Sequence, residues 1–407
     1  MQQTRYWLPL ALFLALLSRL NLQADALDNW TTNQISTNYW GIDCVVYGNG
    51  HFVAGAENQD DEAFFSSEDG KNWMMRYSGG GPWGTSLQFV NGRFVGVGGY
   101  NSVSSSADST NWTISTLPAY VGSDYDAGFG DVTYGNGLYV KVGITNGIGS
   151  ILTSSDGNTW TYRRKTPANG GYISSIAYGT VPFYPSTQPW FVAVGNNDGH
   201  FYYSSTGASW SGGSIPGGNV VGFGNGLFII PLTGSSNLVS SDGLNWSQLK
   251  TGLTNKIGRP IYQNGIFWAW ATNYLATSVD GTNWVQSPKQ IPCSEQGGLN
   301  VSYYQPFATD GKRVVTFGNT QGNDVYSDNG FIYLSDPLVS VRLTNSPTRK
   351  VVLTGLAGRN YQIQSASNLG ASANWQTNAT LQLTNTPYLW SDSSTNAARF
   401  YRAVLMP

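Results

Sequence analysis

Charge is scarce in this 407-residue chain: 21 Lys and Arg face 23 Asp and Glu, 11% of all residues. A formal net charge of −2 provides no basic stripe, which excludes a phosphate-reading, nucleic-acid-binding surface. Histidine occurs only at His51 and His200, and His51 sits in a turn signal, which excludes a histidine-based triad or a His-rich metal centre. No metal or other cofactor is expected. Cysteine occurs only at Cys44 and Cys293, too few for a disulfide scaffold. Long apolar runs are absent apart from residues 8–17, which are too short to span a bilayer. Arg5 before that run and Ala24-Asp25-Ala26 after it read as an export signal over residues 1–26, with a mature chain beginning near Leu27.

What is abundant is glycine (50 residues) and aromatic side chains (14%), a composition suited to a closed all-β architecture. One signature couples a turn to an aromatic strand: Tyr47-Gly48-Asn49-Gly50-His51-Phe52-Val53. It returns at Phe89-Val90-Asn91-Gly92, Tyr134-Gly135-Asn136-Gly137, Phe223-Gly224-Asn225-Gly226, Tyr262-Gln263-Asn264-Gly265 and Ala308-Thr309-Asp310-Gly311. A degenerate copy at Tyr178-Gly179 reads as interrupted by a Pro-rich insertion before Trp190. A second signature ends each unit, as in Ser67-Glu68-Asp69-Gly70-Lys71-Asn72-Trp73, with counterparts ending at Trp112, Trp160, Trp210, Trp246 and Trp284. Asn-Gly and Asp-Gly pairs tolerate positive φ and join antiparallel strands. The Trp that follows can cover the gap between neighbouring sheets, worth roughly 4–6 kcal/mol of area burial at most.

These tryptophans recur on average about every 42 residues, a blade-sized period. The last copy is split: residues 332–336 begin it, and Asp28-Asn29-Trp30 finishes it at the mature N-terminus. The expected fold is therefore all-β, a seven-bladed β-propeller over residues 27–337 whose first strand completes its last blade. Such closure removes the exposed sheet edge of an open array. It also brings the blade of Cys44 near the closure, where a disulfide with Cys293 is expected ahead of the alternative, two buried thiols.

The second signature resembles the Asp-box (BNR) repeats of sialidases, sortilin-type receptors, xyloglucanases and photosystem II assembly factors. The likeness covers about 310 residues, although here Asp69, Asp156, Asp242 and Asp280 directly precede the Gly, where the family pattern has one residue between. It implies the propeller fold; activities across the family are unrelated. Residues 338–407 alternate short apolar strands and turns, a pattern predicting a small β-sandwich of fibronectin III-like size. Gly355-Leu356-Ala357-Gly358-Arg359-Asn360-Tyr361 together with Trp375 and Arg399-Phe400-Tyr401-Arg402 resembles the C-terminal module of exported proteins of verrucomicrobial-type bacteria, which implies an extracellular setting.

Both signatures place their turns on one side of the ring, leaving the variable crossing loops on the other, where binding usually resides. The crossing side should collect Trp40, Trp83, Tyr120, Asp124, Tyr125, Asp126, Tyr172, Arg259 and Glu295. Trp40 and Trp83 lie outside the repeat; they suit sugar stacking, or equally a plug of the central channel. Glu57, Asp60, Asp61 and Glu62 form an acidic run, read as a solvated loop over a calcium site. A sialidase needs three arginines on one carboxylate. Of Arg76, Arg93, Arg163, Arg164, Arg259 and Arg313, only Arg259 reaches the crossing loops, and the Phe/Tyr-Arg-Ile-Pro motif is absent. Another glycosidase needs two carboxylates about 5–10 Å apart; Asp43, Asp124, Asp126, Asp131 and Glu295 are the candidates, with no spacing that selects a pair. The reading is a secreted, monomeric, non-catalytic binding propeller for a glycan or an extracellular protein. A carbohydrate hydrolase using a carboxylate pair and an assembly-factor-like scaffold are the alternatives.

Overall fold

In the computed structural model, the described residues are 27, 30–35, 41–57, 61–81, 86–98, 102–118, 130–145, 148–165, 172–183, 186–195, 199–271, 274–287, 290, 307–319, 330–335, 338–343, 350–356, 359–368, 373–384, 388–392 and 399–406. Among them every regular element is a strand, and no helix is long and apolar enough to cross a membrane. The chain divides into two compact units, Leu27–Leu338 and Val339–Val404.

Among the described residues the first unit holds seven four-stranded antiparallel sheets. Their innermost strands are Gly41–Gly48 (sheet I), Ser86–Val90 (II), Asp131–Gly135 (III), Ile173–Phe183 (IV), Gly222–Gly224 (V), Ile261–Gln263 (VI) and Phe307–Thr309 (VII). Sheets I to VI are each built from consecutive strands. Sheet VII takes its outermost strand, Trp30–Gln34, from the other end of the unit, paired antiparallel with Trp30 opposite Ser335 and Gln34 opposite Phe331. The indole of Trp30 anchors this strand by donating to the Leu27 carbonyl at 2.7 Å.

Why do these segments stack into a closed series? Each sheet buries both faces against its neighbours. Ile42, Val45 and Phe52 of sheet I meet Ala308, Val315 and Ile332 of sheet VII. On the opposite face of sheet I, Cys44, Val46 and Phe64 meet Leu87 and Phe94 of sheet II. The series continues with Val95 and Val97 against Val132 and Leu152, Val140 and Ile151 against Ile176 and Phe191, Val194 against Ile230, and Ile229 against Phe267. Gly311 of sheet VII closes onto Asn264 of sheet VI.

The first signature builds the interlock. In sheets I, II, III, V and VI, Asn and Gly both adopt positive φ, from Asn49 (49°) and Gly50 (83°) to Asn264 (52°) and Gly265 (79°), the two-residue turn whose twist matches antiparallel strands. The aromatic before the turn lies on its own second strand, as in Tyr47 on Phe52 at 4.7 Å and Phe223 on Phe228 at 4.6 Å. The next glycine has a separate duty. A Cβ on Gly48, Gly135, Gly179 or Gly224 would sit 2.0–2.3 Å from the aromatic of the following sheet: Phe89, Tyr178, Phe223 and Tyr262 respectively. Gln263 occupies this position where the following sheet brings only Ala308.

The second signature is a longer loop than the tight hairpin expected of it. In sheet I, Ser66 pairs with Met74, and Asp69 organises the residues between. Its Oδ1 accepts the N–H groups of Lys71 and Asn72, both at 2.8 Å, and only Gly70 takes positive φ. Asp108, Asp156, Asp242 and Asp280 repeat these bonds at 2.7–2.9 Å. In sheet IV the Thr206 hydroxyl accepts in place of a carboxylate, at 3.2 and 3.3 Å. Burial pushes the Asp69 carboxyl up, but the N–H groups of Asn72 and Lys71 and the side chains of Asn72 and Ser67 outweigh it and hold it at about 2. Trp73, Trp112, Trp210 and Trp284 donate to the carbonyl of residue 70, 109, 207 or 281 in their own loop. Each packs on the preceding sheet; Trp112 stacks on Phe64 at 3.7 Å.

Three expectations need correction. Residues 179–190 do not interrupt sheet IV: Ile173–Phe183 and Ser186–Gly195 form one long hairpin, with Pro182 opposite Thr187 and Pro189 opposite Thr180. The third strand pairs only as far as Phe191, so the prolines lie on a two-stranded ribbon with free edges, where a missing N–H is tolerated. Cys44 is a free, fully buried thiol that faces sheet II, away from the closure; Cys293 lies outside the described residues. Glu62 is no solvated loop residue, since it opens the strand Glu62–Ser67 and is 3% exposed.

Among the described residues the second unit contains two three-stranded sheets. One is ordered Ser340–Leu343, Lys350–Thr354, Tyr388–Ser391, and the other Gln376–Gln382, Asn360–Ala366, Phe400–Leu405. Tyr361 fills the interior, and its hydroxyl accepts the Leu356 N–H at 2.6 Å.

Candidate functional site

The inner strands surround a cavity of about 500 Å3. Its lining comes from the inner strand of every sheet, just before the turn in six of them and within the long first strand of sheet IV: Val46 to Gly48, Gln88 and Phe89, Thr133, Ala177 and Tyr178, Gly222 and Phe223, Ile261 to Gln263, and Ala308. Arg259 is the single charged lining residue among the described ones, and it sits deeper, four positions before Gln263.

Arg259 does not stand free. Its Nη1 donates to Asp131 Oδ1 at 2.8 Å, and its Nη2 donates to the Ile176 carbonyl at 3.0 Å. Asp131 likewise occupies the fourth position before Gly135, so the pair spans the axis from sheet VI to sheet III. Every acceptor position of that carboxylate is engaged. Val132 N–H reaches Oδ1 at 2.9 Å, and Ser175 Oγ and Ile176 N–H reach Oδ2 at 3.0 and 2.9 Å. The network continues on the crossing side: Val221 N–H donates to Ser175 Oγ, Ser174 Oγ donates to the Asn219 carbonyl, and Lys256 Nζ donates to Asn219 Oδ1 at 3.1 Å. Burial pulls the Lys256 ammonium below its ordinary value. Asp131 and Arg259 are 3% and 11% exposed, so this is a buried ion pair completed by hydrogen bonds, the arrangement that such a pair requires.

Sequence reasoning put Arg259 on the crossing side and Asp131 among the candidate acids. The structure joins them, which leaves neither as a free carboxylate clamp or a general acid. Tyr172 is half-buried at the start of sheet IV. Trp40, Trp83, Tyr120, Asp124, Tyr125, Asp126 and Glu295 lie outside the described residues, as does Asp60. Among the described residues no group of three His, Cys, Asp or Glu side chains could hold a metal ion. Lys141 was missed by the sequence reading: it lies on the second strand of sheet III, 4% exposed, and burial brings its ammonium down to about 8.

No family model and no curated protein matches the chain. Solved structures do. A streptogramin B lyase aligns with a TM-score of 0.54 at 13% identity, over 76% of this chain and 100% of that one. PorZ, described as an essential bacterial surface component of the type-IX secretion system of Porphyromonas gingivalis, aligns with a TM-score of 0.50 at 10% identity, over 92% of this chain and 59% of that one. Both are propeller proteins. The chain has a β-propeller fold. At these identities the likeness carries the architecture alone, and the chemistry must be argued from the side chains of this propeller.

Proposed function

We propose that the chain is an exported, seven-bladed binding propeller of the Asp-box kind, without catalytic activity, followed by a small β-sandwich module. The reading rests on one observation above all: Asp131, a candidate acid, and Arg259, the charged residue of the cavity lining among the described ones, are spent on each other. A glycosidase needs a carboxylate able to exchange a proton, whereas Asp131 accepts four hydrogen bonds from fixed donors. The seven four-stranded sheets and the carboxylate-organised loops support the blade count and the kinship. The signal sequence and the likeness of the C-terminal module support export.

Glycan recognition on the crossing side, with Trp40 and Trp83 as stacking platforms, follows from two tryptophans that the repeat does not explain. A screen of aryl glycosides and oligosaccharides should show no turnover; hydrolysis that disappears in Asp131→Asn would overturn the non-catalytic reading. On a glycan array, Trp40→Ala and Trp83→Ala should remove the signal of the native chain. An unchanged signal sinks the platform role and turns attention to protein partners.

A further inference from the structure

We propose that the axial cavity is a second binding site, opening on the tight-turn side of the propeller and shaped for a small, uncharged, hydroxylated ligand such as the end of a neutral sugar chain. It is independent of the crossing-side reading and lies on the opposite side of the ring.

The location follows from the register of the inner strands. Apart from Arg259 and Pro260, the lining residues of six sheets lie within two positions of the residue that precedes the turn. In sheet IV, whose hairpin runs on to Phe183, Ala177 and Tyr178 precede Gly179, the glycine that Phe223 covers. Two strand steps down, roughly 7 Å, the Asp131–Arg259 pair crosses the axis. The pair forms a floor, and the cavity is a cup above it. At the rim stand Tyr47, Phe89, Tyr178, Phe223 and Tyr262, with Ala308 where sheet VII has no ring. Tyr262 is 37% exposed, consistent with an open mouth on this side.

The ligand class follows from what the lining offers. A volume of about 500 Å3 falls within the range of small-molecule sites, about 300–1,000 Å3. Among the described residues no carboxylate lines it, and the one cation that does is already neutralised by Asp131. An anion entering the cup would lose its hydration and find no unpaired positive charge. Hydrogen-bonding capacity is nonetheless plentiful. Gln88, Thr133 and Gln263, together with the phenols of Tyr47, Tyr178 and Tyr262, line the cup, and none of these six side chains hydrogen-bonds to another described residue. The rings are wedged against their own second strands at 4.6–4.7 Å, as Tyr178 is on Phe191 and Tyr262 on Phe267, so their positions are fixed before any ligand arrives. Fixed aromatic edges with several neutral donors and acceptors that no described residue engages match a sugar ring, which carries many hydroxyls and no charge.

The test uses the full mature chain and ligand-observed NMR with calorimetry, against neutral mono- and disaccharides and the corresponding uronates. At least one neutral sugar should bind, and its uronate should not. Gln88→Trp, which fills the cup, should abolish that binding, and the milder Tyr262→Phe and Gln263→Ala should each weaken it about tenfold. Trp40→Ala and Trp83→Ala should leave it unchanged, which separates this site from the crossing-side one. Should Gln88→Trp fail to fold, the two milder variants carry the test. The proposal is overturned if no neutral sugar binds, if uronates bind as well, if binding survives all three cup variants, or if it is lost in Trp40→Ala instead.

Discussion

The rim of tight turns and the level four residues below it make an instructive pair. At the rim, sheet after sheet repeats one device: an aromatic on its own second strand, then an Asn-Gly turn with both residues at positive φ. Four positions before Gly48, Val90, Gly135, Gly179, Gly224 and Gln263 stand Cys44, Ser86, Asp131, Ser175, Val220 and Arg259, no two sheets alike except for the two serines. The repeated level holds the sheets together, and the irregular level decides what the axis can do. Repetition therefore reports the fold, and departures from it report where chemistry is concentrated.

The comparison can be broken at several points. Removing residues 27–35 deletes the outermost strand of sheet VII and exposes an unpaired edge. The expected result is loss of the cooperative unfolding transition and aggregation, read by calorimetry and light scattering. A smaller effect should follow Gly48→Ala, whose new Cβ would lie 2.0 Å from Phe89. It should cost about 3 kcal/mol in denaturant unfolding. Gly50→Ala, with open space but φ of 83°, should cost only about 1 kcal/mol.

Lys141 sharpens the irregular side. Its folded pKa of about 8 lies below the ordinary 10.5, so the unfolded chain binds more protons between those values and stability should rise as pH climbs through that window. Lys141→Met should abolish this rise and stabilise the protein at pH 7 by about 2 kcal/mol. The smallest change concerns sheet II, where Ser109 (φ 65°) stands in the loop position that Gly70, Gly157, Gly243 and Gly281 fill elsewhere. Its hydroxyl is buried without a partner. Ser109→Gly should stabilise by about 1 kcal/mol, measured by the shift in denaturant midpoint.

Much of the architecture was legible because its causes are local. Asn-Gly pairs and Asp-centred loops act within a few residues, so their spacing set out the sheets, and the split copy at Trp30 pointed to the closure. The hairpin of sheet IV was misread because Pro182 and Pro189 usually break strands, and nothing local tells that both edges of that ribbon are free. The axial pair was not legible either: Asp131 and Arg259 stand 128 residues apart, and only the arrangement of sheets III and VI brings them together. The available signal was a lone charge in each of two otherwise uncharged strand starts. Lys141 could have been found the same way, as a cation in the apolar strand Leu138–Thr145.

The most direct test of this account is a double-mutant cycle on Asp131→Asn and Arg259→Gln, followed by denaturant unfolding. Each single variant strands one partner of a buried pair and should cost about 3 kcal/mol, while the double variant should cost clearly less than the sum, a coupling of about 2 kcal/mol. Additive effects within about 0.5 kcal/mol would mean that the two side chains do not meet across the axis, and the cup would lose its floor.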